Sequence, residues 1–435
     1  MVDPVDDAVA TPAGYIRQLK SSYPPAERNT ATVPPVLKEV YNGDEESARK
    51  AIEAVHDLDY AHELLTRLMP SLPEVFSGLL EKGIVAVGEV NSPEPNATTT
   101  RLNGSTYAVV FNAGLPRFLY RVTRVLSTRF NCQGAEGASE SLSFEESCRI
   151  LTDVFFWYRE TGQAYGPDYP VSKLQFTIAS MLATEAETFF LAHELGHVFN
   201  DLRALAKRVT PEERAVAWAD EAEADRFALS ALIDSRNREK SPAPVEISYA
   251  GAEIALSTFA ALEVLGVQFG RTHPPAKTRL DTIRNHLRLL CADEASVERA
   301  TAFSKPLALL FSRIVGQLRA PDWESFLDRA TAGVMNDLDR LLDQCTGGIV
   351  PDYSGFRANM PNLFDRLSSH RLYVRVAHAT AEFARHMKEM GEKGKKGATR
   401  DAWVSFQKYK LFISMTGDLN EPFKSLLEEA LRITT

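Results

Sequence analysis

Cysteine is scarce in this chain. Four residues, Cys132, Cys148, Cys291 and Cys345, are scattered through 435 with no paired spacing. That excludes a disulfide scaffold and predicts reduced thiols in a cytoplasmic protein. Long apolar runs are missing too. The longest, near Ala250 to Phe269, is interrupted by Glu253 and Glu263, so it fits a buried helix better than a membrane span. The opening stretch Met1-Val2-Asp3-Pro4-Val5-Asp6-Asp7 is acidic and has no apolar core, which predicts no signal peptide. There is no surplus of positive charge: 49 Lys and Arg stand against 58 Asp and Glu, a net charge of -9. Broad nucleic-acid binding through phosphate neutralisation is therefore disfavoured. No phosphate-binding glycine loop and no repeat of fixed period is present. Asn96-Ala97-Thr98 and Asn103-Gly104-Ser105 match the glycosylation string, but without a secretory route they read as turn chemistry. A hydrophobic content of 44% is ordinary for a globular protein, here expected in the cytoplasm without membrane insertion.

The length predicts more than one domain. We expect an N-terminal arm and helices over residues 1–82, a central domain over 83–290 and a helical domain over 291–435. The arm is punctuated by Pro24, Pro25, Pro34 and Pro35. Asp44 to Leu80 reads as two helices broken near Pro70 and Pro73. Ile84 to Val87 and Tyr107 to Phe111 are the clearest strand signals, and the Pro, Asn, Thr and Gly-rich stretch between them reads as a loop joining an antiparallel pair. Helices are expected over Leu115 to Phe130, Phe144 to Tyr158, Ala250 to Gly266 and most of the chain beyond His286. Glu392-Lys393-Gly394-Lys395-Lys396-Gly397 reads as a basic connector.

Against that background the run His193-Glu194-Leu195-Gly196-His197 carries the chemistry. Two histidines four apart on a helix project from one face, so their imidazoles can meet on one metal ion. The glutamate between them lies beside that ion, where it can take a proton from water. No proline falls between Val171 and Val198, so the motif sits inside a helix, expected to be amphipathic over Leu174 to Ala192. Gly196 costs roughly 1 kcal/mol against alanine in a helix interior, a choice that suits a place where another backbone or a substrate comes close. His62-Glu63-Leu64-Leu65-Thr66 mimics half of the motif but has Thr66 where the second histidine belongs.

A catalytic zinc site needs a third protein ligand. Asp220-Glu221-Ala222-Glu223-Ala224-Asp225 supplies the best source, on an expected helix where Glu221 and Asp225 share a face. Glu221 is assigned as the ligand, with Glu223 in reserve. Asp225 is assigned to accept the free N–H of His193 and fix its tautomer. The alanines around the two acids suit a close approach of two helices.

His193 to His197 followed by Glu221, Ala224 and Asp225 resembles the gluzincin class of metallopeptidases. The spelling is similar to that of the ImmA/IrrE-type regulatory proteases and of the membrane CAAX-prenyl and heat-shock proteases. Thr272-His273-Pro274-Pro275 with Arg279 resembles a motif shared by the heat-shock proteases and the Lit-type phage-exclusion peptidases. The resemblance spans roughly Tyr107 to His286. It implies an α+β, predominantly helical fold: a zincin-like core with a small antiparallel sheet beside an active-site helix, followed by a helical C-terminal region. In such folds an edge strand binds the substrate backbone, and the strand Tyr107 to Phe111 is assigned to that sheet. The resemblance further implies Zn2+ held by His193, His197 and Glu221, with Glu194 as general base and His273 or Arg279 helping to stabilise an oxyanion. The expected activity is hydrolysis of an intracellular protein substrate, in phage defence or stress response. A different class of function, a regulatory or binding protein with a structural or inactive zinc site, predicts metal without cleavage.

Overall fold

The computed structural model describes residues 11–24, 44, 46–47, 50, 59–130, 142–164, 166, 169, 171–206, 217–267, 273–346, 370–394, 400–415, 424–425, 427 and 429. Most of the expected N-terminal arm, Cys132, Thr272 and the far part of the basic connector lie outside the described residues. The chain forms two compact units, residues 1–155 with 168–320, and residues 156–167 with 321–435. Both are mainly helical, as expected.

In the first unit, helix α1 (Pro12–Ser22) begins at Thr11, whose hydroxyl accepts from the Gly14 amide. Helix α2 (Tyr60–Leu68) runs into a 3-10 turn (Met69–Ser71) containing Pro70, and α3 (Val75–Glu81) follows. The prolines thus mark the break between these helices, because each removes a backbone donor. The look-alike motif lies on α2 with His62 exposed.

Three strands follow: β1 (Val85–Val90), β2 (Ala97–Leu102) and β3 (Thr106–Asn112), in the spatial order β1-β3-β2. This corrects two expectations. The stretch read as a loop contains β2, where the β-branched Thr98-Thr99-Thr100 suits a pleated surface. The pairing of β1 with β3 is parallel, Val85 opposite Tyr107, and only β2 with β3 is antiparallel. The physical reason is the hairpin. Asn103-Gly104-Ser105, with Gly104 at φ 80°, turns β2 directly into β3, and that hairpin inserts β3 between β1 and β2. The sheet is small and mixed. One face packs under α1 through Ile16, Val90, Ala108 and Val110.

Helices α4 (Gly114–Ser127) and α5 (Phe144–Thr161) come next, then the long α6 (Lys173–Ala206), α7 (Ala217–Arg238), α8 (Pro244–Val264), α9 (Ala276–Leu290) and α10 (Glu294–Arg319). Ser172 and Gln175 cap the start of α6 reciprocally, each accepting from the other's amide. One-sided burial, expected over Leu174 to Ala192, holds only for the first turns of α6, where Gln175, Ala179, Leu182 and Ala183 are buried and Leu174 and Thr177 exposed; every residue from 185 to 196 is buried. It is a central helix with packed neighbours on several sides, α4, α7 and α8 among them. Helix α8 meets the length and composition of a membrane span, but 83% of its apolar window is buried within the protein. It is a second core helix, as its interrupting glutamates suggested.

The second unit holds α11 (Trp323–Thr346), α12 (His370–Gly394) and α13 (Arg400–Met415). Its core includes Phe156 and Trp157 packed on Trp323 and Phe326. Lys408 reaches Asp339 at 2.7 Å and Asp343 at 2.6 Å. Glu392, Lys393 and Gly394 of the expected connector complete the end of α12.

Candidate metal centre and its cleft

The centre is built where α6 and α7 cross. At positions 221, 224, 225 and 228, α7 turns buried residues inward, the spacing of one helical face. Gly196 of α6 lies against Ala224: a Cβ on the glycine would sit 2.9 Å from the Ala224 Cα. The small residues therefore do what their pattern implied, letting two backbones approach within reach of shared ligands.

His193, His197 and Glu221 offer ligand atoms that all lie within 4.8 Å of one another. The Nε2 atoms of the two histidines are 3.1 Å apart. Glu221 Oε2 stands 3.4 Å from His193 Nε2, and Oε1 stands 3.4 Å from His197 Nε2. Metal–ligand bonds of about 2.0–2.2 Å at tetrahedral angles give ligand–ligand edges of roughly 3.4 Å, so these separations fit one such ion. Two imidazole nitrogens face each other at hydrogen-bond distance, and buried Glu221 Oε2 completes no hydrogen bond among the described residues. A shared cation would satisfy that oxygen and both nitrogens at once. Glu223, the reserve ligand, is exposed and paired with Arg226 at 2.5 Å, away from the cluster.

Behind the cluster, Asp225 Oδ1 lies 3.0 Å from His193 Nδ1. Arg279, one turn into α9, clamps Asp225 with Nε at 3.0 Å and Nη2 at 2.7 Å. Its Nη2 is also 3.2 and 3.3 Å from the two ring nitrogens of His193. Arg279 is buried, only 4% exposed. Burial alone would raise the Asp225 carboxyl, but the guanidinium of Arg279 holds it below the usual carboxylate range. For His193, burial and Arg279 push downward while Asp225 and Glu221 outweigh them, leaving it raised to about 9. Burial of Glu221 is likewise outweighed, by the imidazoles of His193, His197 and His273, which hold it far below the normal range.

His273 is half-buried, with Nδ1 at 2.6 Å from Glu221 Oε1. The turn after it is pinned by Glu263, at the end of α8, whose carboxylate accepts the Ala276 amide at 3.0 and 3.2 Å. Pro275 lies just before α9, so its missing donor costs nothing there. Nothing in the local spelling marked Glu263 for this contact; its partner lies across a loop.

A cleft of about 370 Å³ opens over the centre. His193, Glu194, His197, His273 and Arg279 line it together with Ala97, Thr98 and Thr99 of β2. The strand assigned to this sheet, Tyr107 to Phe111, is its central member, and the edge facing the cleft is β2. The structure thus places His193, Glu194, His197, Glu221, Asp225, His273 and Arg279 in one region and leaves Glu223 outside it. It adds Thr99, and Glu263, which the sequence marked only as a break in an apolar run.

Two helical imidazoles and a carboxylate, with a further glutamate lining the same cleft, form a cluster that could hold a metal ion. Residues 151–299 match the model of the family Peptidase U49, a stretch that contains His193, Glu194, His197, Glu221, Asp225, His273 and Arg279. That match supports a peptidase. No curated protein and no solved structure matches the chain.

Proposed function

We propose that this protein is a zinc-dependent endopeptidase that cuts an intracellular protein. The observation that carries the reading is the convergence of His193, His197 and Glu221 within 4.8 Å, at the floor of a cleft that Glu194 also lines. Two imidazoles, each giving up its Nε2 proton on binding, and one carboxylate suit zinc, and three protein ligands leave a position for water or substrate. When bound, zinc supplies the electrophile, polarising the scissile carbonyl and acidifying water.

The chain's own residues supply the rest. Glu194 takes the proton from the attacking water and delivers it to the leaving amine. Asp225, kept ionised by Arg279, accepts from His193 Nδ1 and holds that imidazole in the tautomer that offers Nε2 forward. His273 stands in the cleft beside Glu221 and is assigned to the oxyanion of the tetrahedral intermediate. Strand β2, at the end of the sheet, offers an edge unpaired among the described residues to an extended substrate backbone. The resemblance of His273-Pro274-Pro275 and Arg279 to the motif of phage-exclusion peptidases suggests a defence or stress setting in which one protein target is cut.

Glu194→Gln tests the assignment, because it preserves size and removes the base. The variant should keep its metal and lose cleavage by a factor of at least ~100, the scale of general-base catalysis. Proteome-wide mapping of cleavage products, wild type against Glu194→Gln, reads this without a known substrate. Equal cleavage by the two proteins would refute the role, and metal without any cleavage would favour a structural site.

A further inference from the structure

We infer that Thr99 is a positioning residue that sets strand β2 against the catalytic helix, and through it the substrate against Glu194. This rests on the peptidase reading above. Its Oγ1 donates to the backbone carbonyl of Glu194 at 2.9 Å. A carbonyl inside a helix already accepts from the amide one turn on, so the hydroxyl adds a second bond at the residue assigned as base. Thr99 and Arg101 alternate with Thr98 and Thr100, and both contact α6. Two turns beyond Glu194, Asp201 receives the Arg101 guanidinium at 3.2 Å and the Tyr107 hydroxyl at 3.1 Å. The sheet is therefore fastened to α6 on either side of His197, once by a neutral hydroxyl and once by a charge.

The consequence follows from how strands bind peptides. A backbone docked on the edge of β2 is fixed relative to β2, while the reacting atoms must be fixed relative to α6. Only the links between strand and helix transmit one position to the other. The Thr99 link falls at Glu194 itself. Small misplacements at this point cost rate and not affinity, since docking on the strand persists while the reacting geometry is lost.

Thr99→Val removes the hydroxyl and keeps the shape and the β-branch; Thr99→Ser keeps the hydroxyl. With a peptide whose cleavage depends on Glu194, Thr99→Val should lower kcat roughly ten- to a hundred-fold with KM within about twofold. Metal content should be unchanged, and Thr99→Ser should recover most of the loss. Amide hydrogen exchange over residues 97–102 should speed up in the valine variant alone. Wild-type kcat in Thr99→Val overturns the inference, as does a loss that serine fails to restore or that tracks loss of metal. If the wild type shows no Glu194-dependent cleavage, the peptidase reading has failed instead. The exchange measurement then still decides the link: unchanged exchange over 97–102 in Thr99→Val would sink it.

Discussion

At the scale of single residues, the acids of α6 behave in opposite ways. Glu185 is buried and fully compensated, taking Arg67 and Arg236 at 2.5 Å each. Glu187, two residues on, meets no cation among the described residues: its carboxyl is met by the Tyr60 hydroxyl. Burial pushes Glu187 up to about 7 from an ordinary 4.5, the Tyr60 hydroxyl opposes that rise, and Glu89 adds to it. The folded protein therefore holds this proton longer than the unfolded chain does. Its contribution to stability is complete below pH 4.5 and is lost as pH rises through about 7. With ~1.4 kcal/mol per unit, the loss is on the order of 3 kcal/mol. Glu187→Gln keeps an acceptor for Tyr60 and cannot ionise. Its melting temperature should match the wild type near pH 5 and exceed it increasingly toward pH 8. A difference that stays flat across that range would show that Glu187 does not titrate as described. Neither acid was legible in the sequence, because what separates them is the partner each meets from another helix.

At the scale of elements, the crossing of α6 and α7 decides whether the ligands meet. Glycine to alanine inside a free helix gains roughly 1 kcal/mol. At Gly196 the sign reverses. The added Cβ would lie 2.9 Å from Ala224 Cα and 3.2 Å from both its Cβ and its carbonyl oxygen. The helices must part, and overpacking of this kind costs about 1–3 kcal/mol. Since Glu221 rides on α7 and the histidines on α6, Gly196→Ala should lower both melting temperature and metal affinity. A metal titration showing wild-type affinity in a variant of raised stability would contradict the crossing. Here the sequence was informative: a glycine costs stability in a helix, and alanines flanked the matching acids on the partner. The sheet was less legible. Asn96, Asn103 and Gly104 surround β2, so a strand of one threonine run was masked by its turns. Strand order could not be read at all, because β3 reaches β1 only after the hairpin folds back, a pairing no local pattern encodes.

At the scale of the whole molecule, the centre joins segments far apart in the chain: α6, α7 and the turn leading into α9. Without a cation, His193, Glu221, Asp225 and Arg279 form a buried charged group that is satisfied only in part, a costly arrangement for a folded core. An ion that binds the folded state and not the unfolded one stabilises by mass action, about 4 kcal/mol at a thousandfold excess over Kd. Chelation should therefore lower the melting temperature by several degrees, and added zinc should restore it. The substitutions separate this from any general effect of divalent salts. Glu194→Gln should retain the full metal-dependent shift, because that carboxylate lines the cleft without belonging to the ligand cluster. Glu221→Ala and His197→Ala should abolish it. Thermal melts of the three variants, each with chelator and with zinc, make the comparison in one experiment. A wild type whose melting ignores both additions would remove the metal from the account, and with it the reason for placing two imidazoles and a carboxylate face to face.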